Sequence, residues 1–235
     1  MVALKDLLKQ IFSLEVKLTE NQSVVYGHAT LKKQRVHILG VKESTFLGAE
    51  QALIMAQHVI DILESQSKDP VLLLVDVAGQ ELTMRDEWLG MQQYFGHLLE
   101  CLECLRQQGN VLISLVYNQA LGGAFIAYGL MADTILALPD AALAVMWLEG
   151  IAKVTKIELA TLQELSKTFP VFAPGVQNFY ELGGVHEIVR IPELTEKIDL
   201  AIQKHRTQDE RAFLGNERGG RKLAFSIINK VASHL

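Results

Sequence analysis

Two adjacent glycines, Gly122 and Gly123, stand near the start of the second of two apolar stretches, Val111–Tyr117 (VLISLVY) and Ala120–Met131. With the first read as a buried strand and the second as a helix, both glycines fall in the first helical turn. Backbone N–H groups there have no partner inside the helix. The helix dipole adds partial positive charge, and a missing side chain lets an anionic oxygen come close. That is chemistry for charge developing on an oxygen. The competing reading is that the glycines only let strand and helix pack tightly. Tyr117 and Asn118 end the same strand. There they could contact a substrate, as residues at the carboxyl ends of parallel strands do, or satisfy the helix start, with Asn118 as its cap. Asp76 ends another apolar run, Val71–Val75 (VLLLV), and is read as a cap for the turn at Ala78-Gly79-Gln80.

His97, Cys101 and Cys104 share one face of a helix, the side-chain types that zinc favours. No fourth ligand is near in sequence, and Leu98, Leu102 and Leu105 surround them. The two cysteines are read as core residues, because free cysteine usually behaves as a small buried hydrophobe. The other histidines are scattered. Ser114 lies inside a strand, and no serine stands in the glycine turn, where a nucleophile with a neighbouring base would be needed for hydrolysis.

The elements that must hold these groups follow from the pattern. Val24–Thr30 and Arg35–Val41 read as a hairpin around Leu31–Gln34. Gly48–Gln66 carries a helical stripe of Ala52, Met55, Ala56, Val59, Ile60 and Leu63. Val71–Val75 is continuously apolar, as a strand buried on both faces is. A second helix spans about Thr83–Gln108, with Thr83 as N-cap and Gly109 as C-cap. Val111–Tyr117, the helix Ala120–Met131, and strands Thr134–Leu138 and Leu143–Trp147 follow. Repeated strand–helix–strand units imply parallel strands with right-handed crossovers, an α/β fold. The expected division is one domain over residues 1–206, then a charged, glycine-rich exposed loop, Thr207–Lys222, and a short helix, Leu223–Ala232.

A chain of 235 residues with 49% hydrophobic and 21% charged residues is long and apolar enough to bury a full core, which excludes disorder for most of it. A formal charge of -5 argues against a nucleic-acid partner. A mean hydropathy of +0.20 points to a complete interior or to a surface covered by a partner. Gln107–Ala132 carries no formal charge and has the length of a bilayer span. Asn110, Asn118, Gln119 and the glycine pair break it, so a buried strand feeding a helix is expected rather than a membrane segment. The N-terminus lacks a secretory layout, and two cysteines three apart suit a reducing cytoplasm.

These residues also carry a family resemblance. The glycine-rich helix start, Ala132-Asp133 before a strand, the turn Pro139-Asp140, and Tyr180–Val189 (YELGGVHEIV) resemble the crotonase superfamily. Within it, LLLVDVAGQELTMRDE (Leu72–Glu87), LALPDAALAVMWLEGIAKVTK (Leu136–Lys156) and LSKTFPVFAPGVQNFYELGGVHEIV (Leu165–Val189) resemble the gamma subunits of biotin-independent malonate decarboxylase. The resemblance implies a crotonase-like spiral of strand-strand-helix units acting beside a homologous beta subunit. The implied substrate is a malonyl thioester on an acyl-carrier subunit with a phosphopantetheine-type thiol, and the products are acetyl thioester and carbon dioxide. No cofactor bound by this chain is implied. In that setting Gly122 and Gly123 become oxyanion-hole amides for an enolate. Glu149, Lys153 and Lys156, after Trp147, fall near the catalytic cleft; the alternative is that they are solvated charges on a surface helix. Two further readings stand beside this one: half of a biotin-dependent carboxyltransferase, and a non-catalytic scaffold subunit.

Overall fold

The structure is a computed structural model and describes residues 2–14, 16–169, 173–204 and 208–233. The chain opens with helix α1 (Leu4–Ile11), then strands β1 (Lys17–Asn21), β2 (Val24–Leu31), β3 (Gln34–Val41) and β4 (Thr45–Leu47). Helix α2 (Ala49–Glu64) leads to β5 (Val71–Gln80), helices α3 (Met84–Leu89) and α4 (Met91–Gln108), then β6 (Leu112–Leu121) and α5 (Gly122–Ala127). After a 3-10 turn come β7 (Thr134–Ala137), β8 (Ala142–Ala144), α6 (Leu148–Thr155), α7 (Leu159–Leu165), α8 (Val176–Glu181) and β9 (Glu187–Ile188). Helices α9 (Leu194–Lys204), α10 (Arg211–Glu217) and α11 (Lys222–Ala232) end the described chain.

The sheet runs β1-β2-β3-β5-β6-β7-β9. The first three strands are antiparallel, and every pairing from β3 onward is parallel. Val71 to Val75 are all 0% exposed, which accounts for their unbroken apolar run: both faces of β5 are covered, so no alternation is needed. β5 and β6 are each ten residues long, and both run past the apolar core that marks them in sequence. Their register shifts between Val75 and Val77. Beyond the shift their ends join different neighbours, β4 on β5 and β8 on β6. The two central strands thus project a small second layer past the main sheet, and the glycine pair lies at its tip.

The fold is the expected α/β architecture, with local differences. The helix expected over Thr83–Gln108 is two helices, because Gly90 at φ 74° ends α3 and opens α4. Thr83 caps α3 as expected, its side chain accepting from Asp86 N–H. Asp86 in turn accepts from Ala49 N–H at 2.8 Å and so caps α2. The helix expected to reach Met131 stops at Ala127: Tyr128 turns inward, fully buried, and its hydroxyl donates to the Leu74 carbonyl at 3.1 Å. β1 carried no signal because it is an edge strand with one half-buried residue, Leu18, and charge on an edge strand opposes pairing with other chains.

The largest correction concerns the charged stretch expected as an exposed loop. Residues 211–217 form α10. Arg218 donates to the carbonyls of Tyr180 and Val185, each at 2.8 Å, and of His186 at 3.0 Å, and lies over the Tyr180 ring. Arg221 donates to the Leu182 carbonyl and Arg211 to that of Leu130, both at 2.7 Å. The arginines that read as solvated charge are here cross-links between α10 and the preceding chain. The expected boundary at residues 206 and 207 lies outside the described residues. No described helix is long and apolar enough to cross a membrane; Gln107–Ala132 is the end of α4, then β6, then α5.

Candidate active site

The glycine turn is built by two strand ends. Leu121, the last residue of β6, pairs with Ala144 of β8, and the chain then bends sharply. Gly122 takes φ +58°, a left-handed conformation that side-chain-bearing residues adopt at a cost. No side chain caps α5. Both glycines are half-buried. A β-carbon placed on Gly122 would stand 2.8 Å from Gln80 Oε1 and 3.7 Å from the Val145 carbonyl oxygen; on Gly123 it would meet Gln80 at 3.4 Å. The turn is therefore bare, faced by one polar side chain rather than packed against backbone.

That side chain is Gln80, the last residue of β5. Its Oε1 accepts from the Gly123 N–H at 3.1 Å. An oxygen thus already sits at hydrogen-bond distance from a backbone donor at this position. The sequence reading did not single out Gln80, although it falls inside the LLLVDVAGQELTMRDE stretch; its signal was a polar residue after Gly79 at the end of a buried run.

Apolar surface borders the turn. The strand expected over Leu143–Trp147 pairs only through Ala144. Val145, Met146 and Trp147 leave the sheet and are 65%, 43% and 41% exposed. Helix α6, which follows, buries none of its residues. Glu149, Lys153 and Lys156 are all exposed on or just after α6, with no ion pair among the described residues. The structure places them on the segment that departs from beside Gly122. Lys156 ends α6 at φ 62°.

Tyr117 and Asn118 do not join the glycines. The Tyr117 hydroxyl is buried and donates to the Val41 carbonyl at 3.3 Å. Burial, then the charge of Asp76, pushes its ionisation above the usual phenol range. Asn118 does not cap α5. Its Oδ1 accepts from Val2 N–H at 3.0 Å, and its Nδ2 donates to the Val2 carbonyl and to Asp76 Oδ2, at 3.3 and 3.2 Å. Asp76 is 1% exposed and also accepts from Ser44 Oγ and Gln119 N–H, at 3.0 and 3.2 Å. It therefore ties two strands and a loop together rather than capping the following turn. Cys101 is buried, and its thiol is pushed up by burial; Cys104 is exposed rather than a core residue.

Comparison with known proteins agrees with this architecture. A malonyl-S-ACP:biotin-protein carboxyltransferase of Malonomonas rubra is 33% identical over 203 residues, 77% of this chain and 70% of that protein. An acetyl-coenzyme A carboxylase carboxyl transferase beta subunit of Protochlamydia amoebophila is 24% identical over 190 residues, spanning 58% of its length. Among solved structures, a Pseudomonas malonate decarboxylase hetero-tetramer in complex with coenzyme A superposes with a TM-score of 0.84 at 19% identity, covering 97% of each chain. The MdcD-MdcE hetero-dimer of a Pseudomonas malonate decarboxylase gives 0.78 at 20% identity, covering 97% of this chain and 96% of that one. These likenesses establish the crotonase-like carboxyltransferase fold. The family model described as malonate decarboxylase gamma subunit matches residues 42–235, from the end of β3 through the glycine turn and the C-terminal helices, and the chain belongs to that family.

Proposed function

We propose that this chain acts with a homologous beta subunit to decarboxylate a malonyl thioester held on an acyl-carrier subunit through a phosphopantetheine-type thiol. The products are the acetyl thioester and carbon dioxide. The observation that carries the reading is the glycine turn, where the Gly123 N–H donates at 3.1 Å to an exchangeable side-chain oxygen, Gln80 Oε1, at a position with no side chain of its own, within a chain of this family.

The chemistry follows from what the turn offers. When the bond between the malonyl carboxylate and its neighbouring carbon breaks, carbon dioxide leaves and the electron pair passes through that carbon to the thioester oxygen as an enolate. Donors at Gly122 and Gly123 placed for that oxygen stabilise it more than the neutral carbonyl, which is what lowers a barrier. A proton then adds to the carbon. The neutral Gln80 carboxamide is a weaker acceptor than an enolate and would yield its place to it. Val145, whose carbonyl lies near Gly122, the exposed Met146 and Trp147 that follow it, and α6, which has no fully buried residue, support a site completed by a second subunit. The free cysteines suit a cytoplasmic setting.

Carbon dioxide release from malonyl-S-carrier, measured with this chain alone, with the beta subunit alone and with both, tests the proposal. Activity only in the mixture is expected. Full activity from this chain alone overturns the two-subunit reading, and none in the mixture overturns the reaction. The 33% identical relative favours one alternative, carboxyl transfer to a biotin carrier. Activity that requires a biotin carrier and is blocked by avidin would select it.

A further inference from the structure

Gln80 is fixed at its root and half-committed at its tip. Its backbone pairs with Leu47 of β4, and the next residue, Glu81, donates its N–H to the Leu47 carbonyl at 2.7 Å. Thr83 then caps α3. The half-buried side chain lies across the glycine turn. The atoms nearest a β-carbon placed on Gly122 or Gly123 belong to its carboxamide and to the Val145 carbonyl, and none of them is charged.

The Gly123 N–H decides which end of the carboxamide faces it. A donor needs an acceptor, so Oε1 takes the contact at 3.1 Å and Nε2, which can only donate, is left over. Nε2 donates to no described residue. It is not among the buried atoms without a partner, so it is an accessible donor at the edge of the turn. Exposed glutamines elsewhere find acceptors: Gln57 and Gln177 each donate Nε2 to a carboxylate one helical turn on, at 2.9 and 3.1 Å. A malonyl thioester carries its thioester oxygen and its carboxylate on either side of one carbon. With the thioester oxygen on the glycine amides, the carboxylate meets what stands beside them, and the side chain beside them is Gln80. Once displaced from Gly123, the carboxamide still offers two N–H donors from the same root. A neutral donor suits this reaction. The carboxylate leaves as uncharged carbon dioxide, so a full positive charge would hold the ground state more firmly than the transition state and raise the barrier.

We propose that Gln80, through Nε2, recognises the free carboxylate of the malonyl thioester and so selects malonyl over acetyl carriers, a role that rests on the decarboxylase reading. Two measurements on the assembled subunits separate the role from the reading. Carbon dioxide release from malonyl-pantetheine tests the reaction, and none from the wild-type assembly overturns that reading alone. Calorimetric binding tests Gln80, with sulfoacetyl-pantetheine, whose sulfonate replaces the carboxylate and cannot leave, set against acetyl-pantetheine. Gln80→Met, of similar length without donor or acceptor, should weaken sulfoacetyl-pantetheine about tenfold, the value of one hydrogen bond to a charged group. KM for malonyl-pantetheine should rise by a similar factor. Acetyl-pantetheine should bind within about twofold of wild type or tighter, because it loses no hydrogen bond and no longer competes with Oε1. Gln80→Lys should restore sulfonate binding yet lower kcat, because the added charge holds the carboxylate that must leave. Equal weakening of both ligands by Gln80→Met, or no change in either, overturns the proposal. So does tightening of both, the mark of a side chain that only competes for the amide, or a Gln80→Lys assembly that binds the sulfonate no better than Gln80→Met.

Discussion

β5 and β6 carry polar residues at two levels four residues apart, Asp76 beside Asn118 and then Gln80 beside Gly122 and Gly123, and the two levels are organised in opposite ways. At the first, every polar group is consumed. Asp76 holds Ser44, Asn118 and Gln119, and Asn118 holds Val2. At the second, the backbone turns through φ +58° and its one side-chain partner is the end of a glutamine. Buried polar groups with full sets of partners hold strands in place. Donors held by a replaceable neutral acceptor are free to meet something else. The difference separates scaffold from site along the same pair of strands, and it can be broken experimentally.

The largest expected effect falls on the open level. Gly122→Val forces a branched side chain into a left-handed turn and against Gln80. It should reduce carbon dioxide release by the assembled subunits roughly 10²–10³-fold, the usual effect of losing one oxyanion donor, while gel filtration still shows assembly. Undiminished turnover would make the turn structural and erase the contrast. The closed level should respond in stability instead. Asp76→Ala strands Ser44, Asn118 and the Gln119 N–H, and should cost about 2–4 kcal/mol in urea unfolding, given 1–3 kcal/mol for each buried group left unpaired. A shift of a few tenths would mean that water replaces the carboxylate and the level is not closed. The smallest effect is alkaline. Burial raises the ionisation of Tyr117 and Tyr128 above its unfolded value. Their contribution to stability is full below the ordinary tyrosine range near 10 and is lost as pH rises past it. Phenolate absorbance from these two rings should therefore appear only with unfolding; their ionisation in folded protein would sharpen the picture toward a wetter interior.

What could be read from the chain divides along the same line. The hairpin β2–β3, helix α2 and the cores of β5 and β6 are legible because burial selects residue type at every position, and the five consecutive residues Val71–Val75 of β5 have nowhere polar to face. The glycine pair is legible because few residues tolerate such a turn. The reading fails where a polar residue's partner is distant in sequence. Asn118 resembles a cap for the helix four residues on, but its partners are Val2 and Asp76. Arg211, Arg218 and Arg221 resemble solvated charge, but carbonyls 32 to 81 residues away take them up. Val145 to Trp147 read as strand on composition, yet β8 ends at Ala144 and leaves them exposed.

By itself the sequence determined the α/β class, the buried strands and the place where the backbone must turn without a side chain, because hydrophobic spacing and glycine tolerance are local properties. Only the tertiary structure decided which strand-end polar groups are spent and which remain available. It also placed Gln80 over the Gly123 amide. Hydrogen bonds between residues far apart in the chain depend on how the strands are laid side by side, and that register is written in no single segment.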